Sequence, residues 1–225
     1  MMQLKKPFFK FLFFYLCMLP FAQAQVNDAG MWLTLSAEKK LNKKFKLGLT
    51  QEIRLRENYT MIGTILTDVS LTYKLNKSFA VSGNYRLAFK QTLNLEYMPR
   101  HRFYGDFTYR QKHNKLTVSL RSRVQNQARY LSFGDELDVN RIYWRNKLTA
   151  KYDVKKYTPY LSFEVYYPMN KPSGNHVDGV RLAAGTDYNI SKRKTITGYF
   201  LIDKEVQVAN PLTSYIIGVE YNYSF

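Results

Sequence analysis

Beyond Gly30, apolar side chains recur at every second position of the chain, and polar or charged side chains fill the positions between them. One segment alternates the apolar Phe45 and Leu47 with the polar Lys46. The same pattern returns over residues 79–90, 116–125 and 160–167. A period of two places successive side chains on opposite faces of an extended strand. The chain is therefore predicted to be almost entirely β-strand, with one apolar and one polar face.

Two kinds of connection separate the predicted strands. Short polar turns lie at residues 41–44, 75–78, 112–115, 153–156 and 191–194. Longer connections lie near residues 57–59, 91–99, 128–138, 168–176 and 208–211. Outer-membrane barrels combine short periplasmic turns with longer extracellular loops. The alternation of short and long connections therefore predicts an all-β, antiparallel up-and-down transmembrane barrel.

Alternation alone also fits a secreted soluble β-sandwich, in which the apolar faces lie inside. The predicted strands are about 9 to 13 residues long, whereas strands of soluble sheets have about 5 or 6 and membrane strands about 9 to 11. Aromatic residues also cluster near the strand ends, as in the two interfacial girdles of a membrane barrel. Those near the turns are Phe45, Tyr73, Phe79, Tyr109, Tyr152 and Tyr157, and those near the loops are Phe89, Phe103, Trp144, Tyr167 and Tyr215. Both features favour the barrel.

The last predicted strand ends on an aromatic residue. Its apolar face carries Ile217, Val219, Tyr221, Tyr223 and Phe225. Such an ending resembles the signal that the barrel-assembly machinery of the outer membrane reads. We therefore expect Tyr221, Tyr223 and Phe225 to form a barrel-insertion signal. The expected partners are this machinery during biogenesis and the lipid of the outer membrane.

The number of strands follows less directly from the pattern. Eleven segments can be distinguished, starting near residues 31, 45, 65, 79, 102, 116, 141, 157, 180, 195 and 214. Because single-chain bacterial barrels use even numbers of strands, we expect twelve strands, with ten as the alternative. Either a short strand lies near residues 26–30, or one of the segments lies outside the barrel wall.

The N-terminal segment has the features of a secretory signal peptide. Lys5, Lys6 and Lys10 precede an apolar stretch that ends in the small-residue site Ala22-Gln23-Ala24. The apolar stretch is too short for the roughly 20 residues of a membrane helix. We therefore predict that residues 1–24 are a cleaved signal peptide and that residues 25–225 form a single barrel domain in the outer membrane of a Gram-negative bacterium.

The chain is strongly basic, with a formal net charge of +17 and a pI of about 9.8. In a cytosolic protein this charge would suggest nucleic acid as a partner, but export excludes it. The lone cysteine, Cys17, lies in the predicted signal peptide. The mature chain is therefore expected to contain neither a disulfide nor a thiolate metal site, and no cofactor is expected.

Several strand patterns resemble those of a known family. They are WLTLSAEKKL at residues 32–41, QEIR at 51–54, TYKLNK at 72–77, NYR at 84–86, RSRVQ at 121–125, YWRNKL at 143–148 and PYLSFE at 159–164. Together they are similar to the family known as domain of unknown function 2490, over nearly the whole mature chain. This resemblance implies an outer-membrane barrel without an assigned role, and it carries no functional residues.

Strand parity places many charged residues inside the predicted barrel. The middle strands are rich in arginine and the last four in acidic residues, so opposite walls of the lumen are expected to carry opposite charge. The basic wall comprises Arg86, Arg102, Arg121, Arg123 and Arg145, and the acidic wall comprises Glu164, Asp187, Asp203, Glu205 and Glu220. If the charges meet, they form a salt-bridged plug. If water separates them, they create a field that favours anions.

No catalytic or metal-binding motif stands out. His176, near Ser173 and Asp178, comes nearest to the arrangement of a lipid hydrolase, but we expect it to be a solvated loop residue. An acidic group at Asp135, Glu136 and Asp138 lacks the ligand spacing of a calcium loop. We therefore expect neither a catalytic nor a metal site.

Two functional hypotheses remain open. The first is a non-enzymatic barrel, which is either structural or a narrow channel for small anionic solutes. The second is a lipid-modifying barrel enzyme.

Overall fold

The alternating pattern is realised in eleven β-strands. The structure is a computed structural model that describes residues 26–92, 94–128, 141–171 and 174–225. The strands are β1 (Val26–Lys40), β2 (Phe45–Arg56), β3 (Met61–Lys74), β4 (Phe79–Gln91), β5 (Tyr97–His113), β6 (Leu116–Ala128), β7 (Arg141–Tyr152), β8 (Tyr157–Pro168), β9 (Gly179–Asn189), β10 (Lys194–Glu205) and β11 (Leu212–Ser224). The predicted signal peptide, the acidic group at 135–138 and Ser173 lie outside the described residues.

The strands close into one barrel in chain order, which confirms the expected fold class. Each consecutive pair is antiparallel, whereas β1 and β11 close the wall as a parallel pair from Val26↔Leu212 to Glu38↔Ser224. The described chain therefore contains eleven wall strands instead of the expected twelve. The reason is that residues 26–30 extend β1 and do not form a strand of their own, and a parallel closure permits an odd number.

Tight turns join the strands at one end of the barrel, which we call the turn side, and we call the opposite end the loop side. Two of the tight turns share one hydrogen-bond pattern. The Asn42 side-chain oxygen accepts bonds of 2.8 Å from the backbone amides of residues 44 and 45, and Asn76 does the same for residues 78 and 79 at 2.8 and 2.9 Å. An asparagine that caps its own turn explains why these turns look alike in sequence.

In the turn after β7, a hydrogen bond from Lys112 holds the pKa of Asp153 below its usual value.

The outer surface of the barrel is apolar. Leucine, valine, isoleucine and phenylalanine side chains at alternate strand positions are exposed, among them Leu33, Leu35, Leu161 and Phe200. Soluble monomers rarely expose so much contiguous apolar surface. The soluble-sandwich alternative is therefore wrong, because its apolar faces would have to lie inside.

Aromatic side chains form a ring at each end of this apolar surface. Near the turn side, the ring centroids of Phe45 and Tyr73 are 4.9 Å apart and those of Phe79 and Tyr109 are 5.0 Å apart. Toward the loop side, the ring centroids of Trp144 and Tyr167 are 6.5 Å apart. Two aromatic girdles around an apolar band are characteristic of outer-membrane-type barrels.

Side chains occupy part of the middle of the barrel interior. A small apolar cluster of Ala183, Leu201 and Ile216 packs against Trp32 and Tyr199. Most of the other buried side chains in the interior are polar or charged.

No helix in the described part of the chain is long and apolar enough to cross a membrane.

Candidate functional site

A charged cavity of about 820 Å³ occupies the loop side and the middle of the barrel. Thirteen basic side chains line it, compared with six acidic ones. The basic ones are Arg54, Arg86, Lys90, Arg100, Arg102, Arg121, Arg123, Arg141, Arg145, Lys147, Lys171, Arg181 and Lys204. The acidic ones are Glu52, Glu164, Asp178, Asp203, Glu205 and Glu220. The cavity lining therefore carries an excess of seven positive charges.

All five residues of the predicted basic wall line this cavity. Of the predicted acidic wall, Glu164, Asp203, Glu205 and Glu220 also line it. Asp187 lies closer to the turn side, where it accepts hydrogen bonds from Lys151 at 2.6 Å and from Thr197 at 2.9 Å. The cavity thus brings together nine of the ten residues that parity assigns to the two walls.

Several arginines bond an acid on a neighbouring strand instead of facing one across the lumen. Arg123 donates two bonds to Asp106, at 2.6 and 2.8 Å, and Arg86 donates one to Asp68 at 2.7 Å. These two acids belong to the middle strands. Opposite walls of opposite charge therefore describe the lumen only in part, because much of its charge is neutralised locally.

Glu164 is the centre of the largest ionic group in the cavity. The residue is 2% exposed, and its carboxylate accepts hydrogen bonds from Arg121 at 2.5 Å and from Arg145 at 3.1 Å. Arg121 reaches it across β7, because Arg121, Lys147 and Glu164 occupy one row of β6, β7 and β8. On the other side, the register partner of Glu164 is Arg181, which bonds Asp203. One buried carboxylate is thus surrounded by four cations.

Some donors in this group have no partner. The Nε atoms of Arg121 and Arg181 are buried without a hydrogen bond. Lys147 makes no hydrogen bond or ion pair within the described part of the chain. Buried polar groups usually find partners, so the two guanidinium nitrogens mark a place where the interior of the barrel leaves hydrogen-bond donors unused, and the half-buried Lys147 lies in the same row.

Three aromatic rings hold arginines in place by stacking. The guanidinium carbon lies 3.8 Å from the ring centroid for Arg54 over Trp32, 3.9 Å for Arg123 over Tyr104 and 4.1 Å for Arg145 over Tyr166. Such cation–π contacts orient a guanidinium without neutralising it. Sequence reasoning missed these rings, although their parity within their strands places each of them inside the barrel.

Comparison with known proteins decides the family. The model of the family described as "Protein of unknown function (DUF2490)" matches residues 29–210. The chain belongs to DUF2490. The match covers β1 from residue 29 onward and all of β2 to β10, and it agrees with the resemblance found in the strand patterns.

Two solved structures resemble the DUF2490 barrel. One is a KdgM porin, with 18% sequence identity and a TM-score of 0.48 over 84% of this chain and 89% of that chain. The other is the translocator domain of autotransporter NalP from Neisseria meningitidis, with 12% identity and a TM-score of 0.39 over 74% of this chain and 70% of that chain. No curated protein matches the sequence.

The histidines of the DUF2490 barrel are dispersed. His101 faces outward and shares a 2.8 Å hydrogen bond with the hydroxyl of Tyr85, and the His176 ring lies 2.9 Å from the carbonyl oxygen of Gln207. Among the residues that the structure describes, no group of three or more His, Cys, Asp or Glu side chains could hold a metal ion. The lipid-modifying enzyme stays a prediction, which comparison of envelope lipids with and without the gene would test.

Proposed function

We propose that this protein is an outer-membrane barrel that passes small anionic solutes through a narrow, positively charged lumen. The observation that carries the proposal is the composition of the cavity lining, with thirteen basic side chains against six acidic ones. A lumen with a surplus of one charge raises the local concentration of solutes of the opposite charge. The surplus here favours anions.

The outer surface supports the location in the outer membrane. An apolar band between two aromatic girdles fits the hydrocarbon layer and its two interfaces. The predicted signal peptide and the aromatic C-terminal strand support the same location, because the first would export the chain and the second would address it to the assembly machinery.

The buried side chains inside the barrel support a small solute. Four side chains are buried at mid-height in the lumen: Tyr104, Arg123, Arg145 and Glu164. The barrel is also narrow, because it has eleven strands in the described chain whereas open porins have roughly 16 to 18. The cavity extends to the loop side, where Arg141 and Lys171 line it. A solute would therefore enter a basic vestibule before it reaches the narrow part of the lumen.

Planar-bilayer recording under a potassium chloride gradient tests the proposal. We expect small single-channel currents and a reversal potential whose sign reports preference for chloride. Arg141→Glu, which reverses one charge of the vestibule, should shift the reversal potential toward potassium. Lys43→Glu is the matched control in the turn after β1, outside the cavity, and should leave the potential unchanged. Preference for potassium in the wild type, or no current at any salt concentration, would reject the channel.

A further inference from the structure

The ionic group around Glu164 contains more positive than negative charge. It comprises Arg121, Arg145, Lys147, Glu164, Arg181 and Asp203, and all six side chains line the cavity. The bonds from Arg121 and Arg145 converge on one carboxylate oxygen of Glu164, and Arg181 bonds Asp203. Four cations thus share two carboxylates, which leaves an excess of two positive charges inside the barrel.

Neighbouring charged groups do not remove this excess. Arg123, on the next row, is already bonded twice to Asp106. Lys151, which lies four residues beyond Lys147 on the same face of β7, is bonded to Asp187 at 2.6 Å. Burial of ionic groups is tolerated when each is compensated, so the uncompensated pair of charges calls for a further anion.

The three unsatisfied donors lie where such an anion would bind. Two of them are the buried Nε atoms of Arg121 and Arg181. The third is the ammonium of the half-buried Lys147, which lies on β7 between Arg121 on β6 and Glu164 on β8. Guanidinium groups prefer planar or tetrahedral oxyanions, because their N–H bonds match carboxylate and phosphate oxygens. The cavity opens this place to the loop side.

We propose that Arg121, Lys147 and Arg181 form a binding site for an oxyanion, either a carboxylate or a phosphate group of a solute, and that Glu164 acts as its built-in competitor. This inference rests on the proposed function, in which anionic solutes enter the lumen. It goes further by naming the chemical group that is bound and the residues that bind it. Glu164 holds Arg121 and Arg145 in place when the site is empty, and its negative charge keeps the bound anion exchangeable.

The proposal makes opposite predictions for two neighbouring residues. Lys147→Met removes a donor and a positive charge, so it should weaken the binding of inorganic phosphate by about tenfold or more. Glu164→Gln removes the competing charge and should tighten the binding by about tenfold. A purely structural role for the cluster would predict weaker binding, or none, in both variants.

Calorimetric titration of the detergent-solubilised mature barrel with inorganic phosphate measures these affinities. Lys151→Met is the matched control, because it removes a lumen lysine of the same strand outside the cavity, and it should bind phosphate like the wild type. Trp32 provides a second readout, since its ring centroid lies 5.2 Å from the guanidinium carbon of Arg181. Trp144→Phe leaves Trp32 as the single tryptophan of the chain, whose fluorescence should then respond to phosphate with the same affinity.

Each outcome decides the proposal. No phosphate binding by the wild type, an equal loss in Lys147→Met and Lys151→Met, or weaker binding in correctly folded Glu164→Gln would overturn the site. If Glu164→Gln does not fold, the comparison of the two lysine variants decides alone. Phosphate binding without bilayer currents would refute the proposed channel and support the proposed binding site. Anion-selective currents with unaltered phosphate binding in Lys147→Met would refute the binding site and support the channel.

Discussion

The ring of Tyr199 lies across the bare backbone of Gly218, its register partner on the neighbouring strand. A Cβ atom on Gly218 would overlap the ring, so the absence of a side chain at this position creates the space that the tyrosine fills. Tyr199 in turn packs against the small apolar cluster inside the barrel. An aromatic side chain that covers a strand glycine restores the packing that the glycine lacks.

A side chain at residue 218 should therefore destabilise the barrel. We expect Gly218→Val to cost about 1 to 3 kcal/mol, because the tyrosine must leave its position. Denaturant unfolding in detergent, followed by the heat-modifiable mobility of the folded barrel, measures the change. Gly198→Val is the control, since a Cβ at that outward-facing position meets nothing within 4 Å, and its effect should stay within about 0.5 kcal/mol. Equal stability of the two variants would contradict the packing described here.

The two faces of the wall should respond differently to a new charge. Leu148 is 50% exposed on the outer surface of β7, and the adjacent Thr149 faces the lumen. We expect Leu148→Lys to lower the free energy of unfolding in lipid bilayers by about 2 to 4 kcal/mol, because a cation on the lipid face must be removed from water. Thr149→Lys should cost less, since its ammonium reaches a polar lumen. A larger loss in Thr149→Lys than in Leu148→Lys would argue against the assigned faces.

Removal of the buried carboxylate of Glu164 should be costly in the absence of ligand. Glu164→Gln leaves Arg121 and Arg145 without a counter-charge, and we expect a loss of about 3 to 5 kcal/mol in the free energy of unfolding. Glu38→Gln, which breaks the more exposed pair with Lys46, should cost less than about 1 kcal/mol. Phosphate should recover more stability in Glu164→Gln than in the wild type, because a ligand stabilises in proportion to its affinity for the folded state. Denaturant titrations with and without phosphate would reveal the difference.

The C-terminal aromatic residue should matter for assembly more than for stability. Phe225 is 64% exposed at the turn side, where its ring packs on Tyr223 with centroids 4.7 Å apart. We expect Phe225→Ala to reduce the amount of heat-modifiable barrel in the outer-membrane fraction. Phe45→Ala, at an exposed aromatic of the same end that is not terminal, serves as the control. Equal yields of both variants would show that the terminal phenylalanine carries no insertion signal.

The faces of the strands could be predicted because they depend only on local order. A period of two assigns Leu47 outward and Lys46 inward whatever the neighbouring strands are, and the structure agrees. The same parity placed nine of the ten wall residues in one cavity. Fold class and lumen composition therefore follow directly from the pattern.

Strand number and charge pairing could not be predicted, because they depend on contacts between distant parts of the chain. The barrel wall is closed by the parallel pairing of β1 with β11, which starts at Val26 and Leu212. No local sequence pattern predicts this pairing. The bond from Arg121 to Glu164 passes over an intervening strand, so it depends on side-chain reach as well as on register. Parity alone could not show that the carboxylate of Glu164 would accept hydrogen bonds from two arginines.

Because the closed wall has an odd number of strands, the two ends of the described chain lie at opposite ends of the barrel. β1 starts at the loop side and β11 finishes at the turn side, so the polypeptide enters the wall at one mouth and leaves it at the other. With the turns in the periplasm, an epitope fused ahead of Val26 would be readable by antibodies on intact cells. The same epitope after Phe225 would become readable only once the cells were permeabilised.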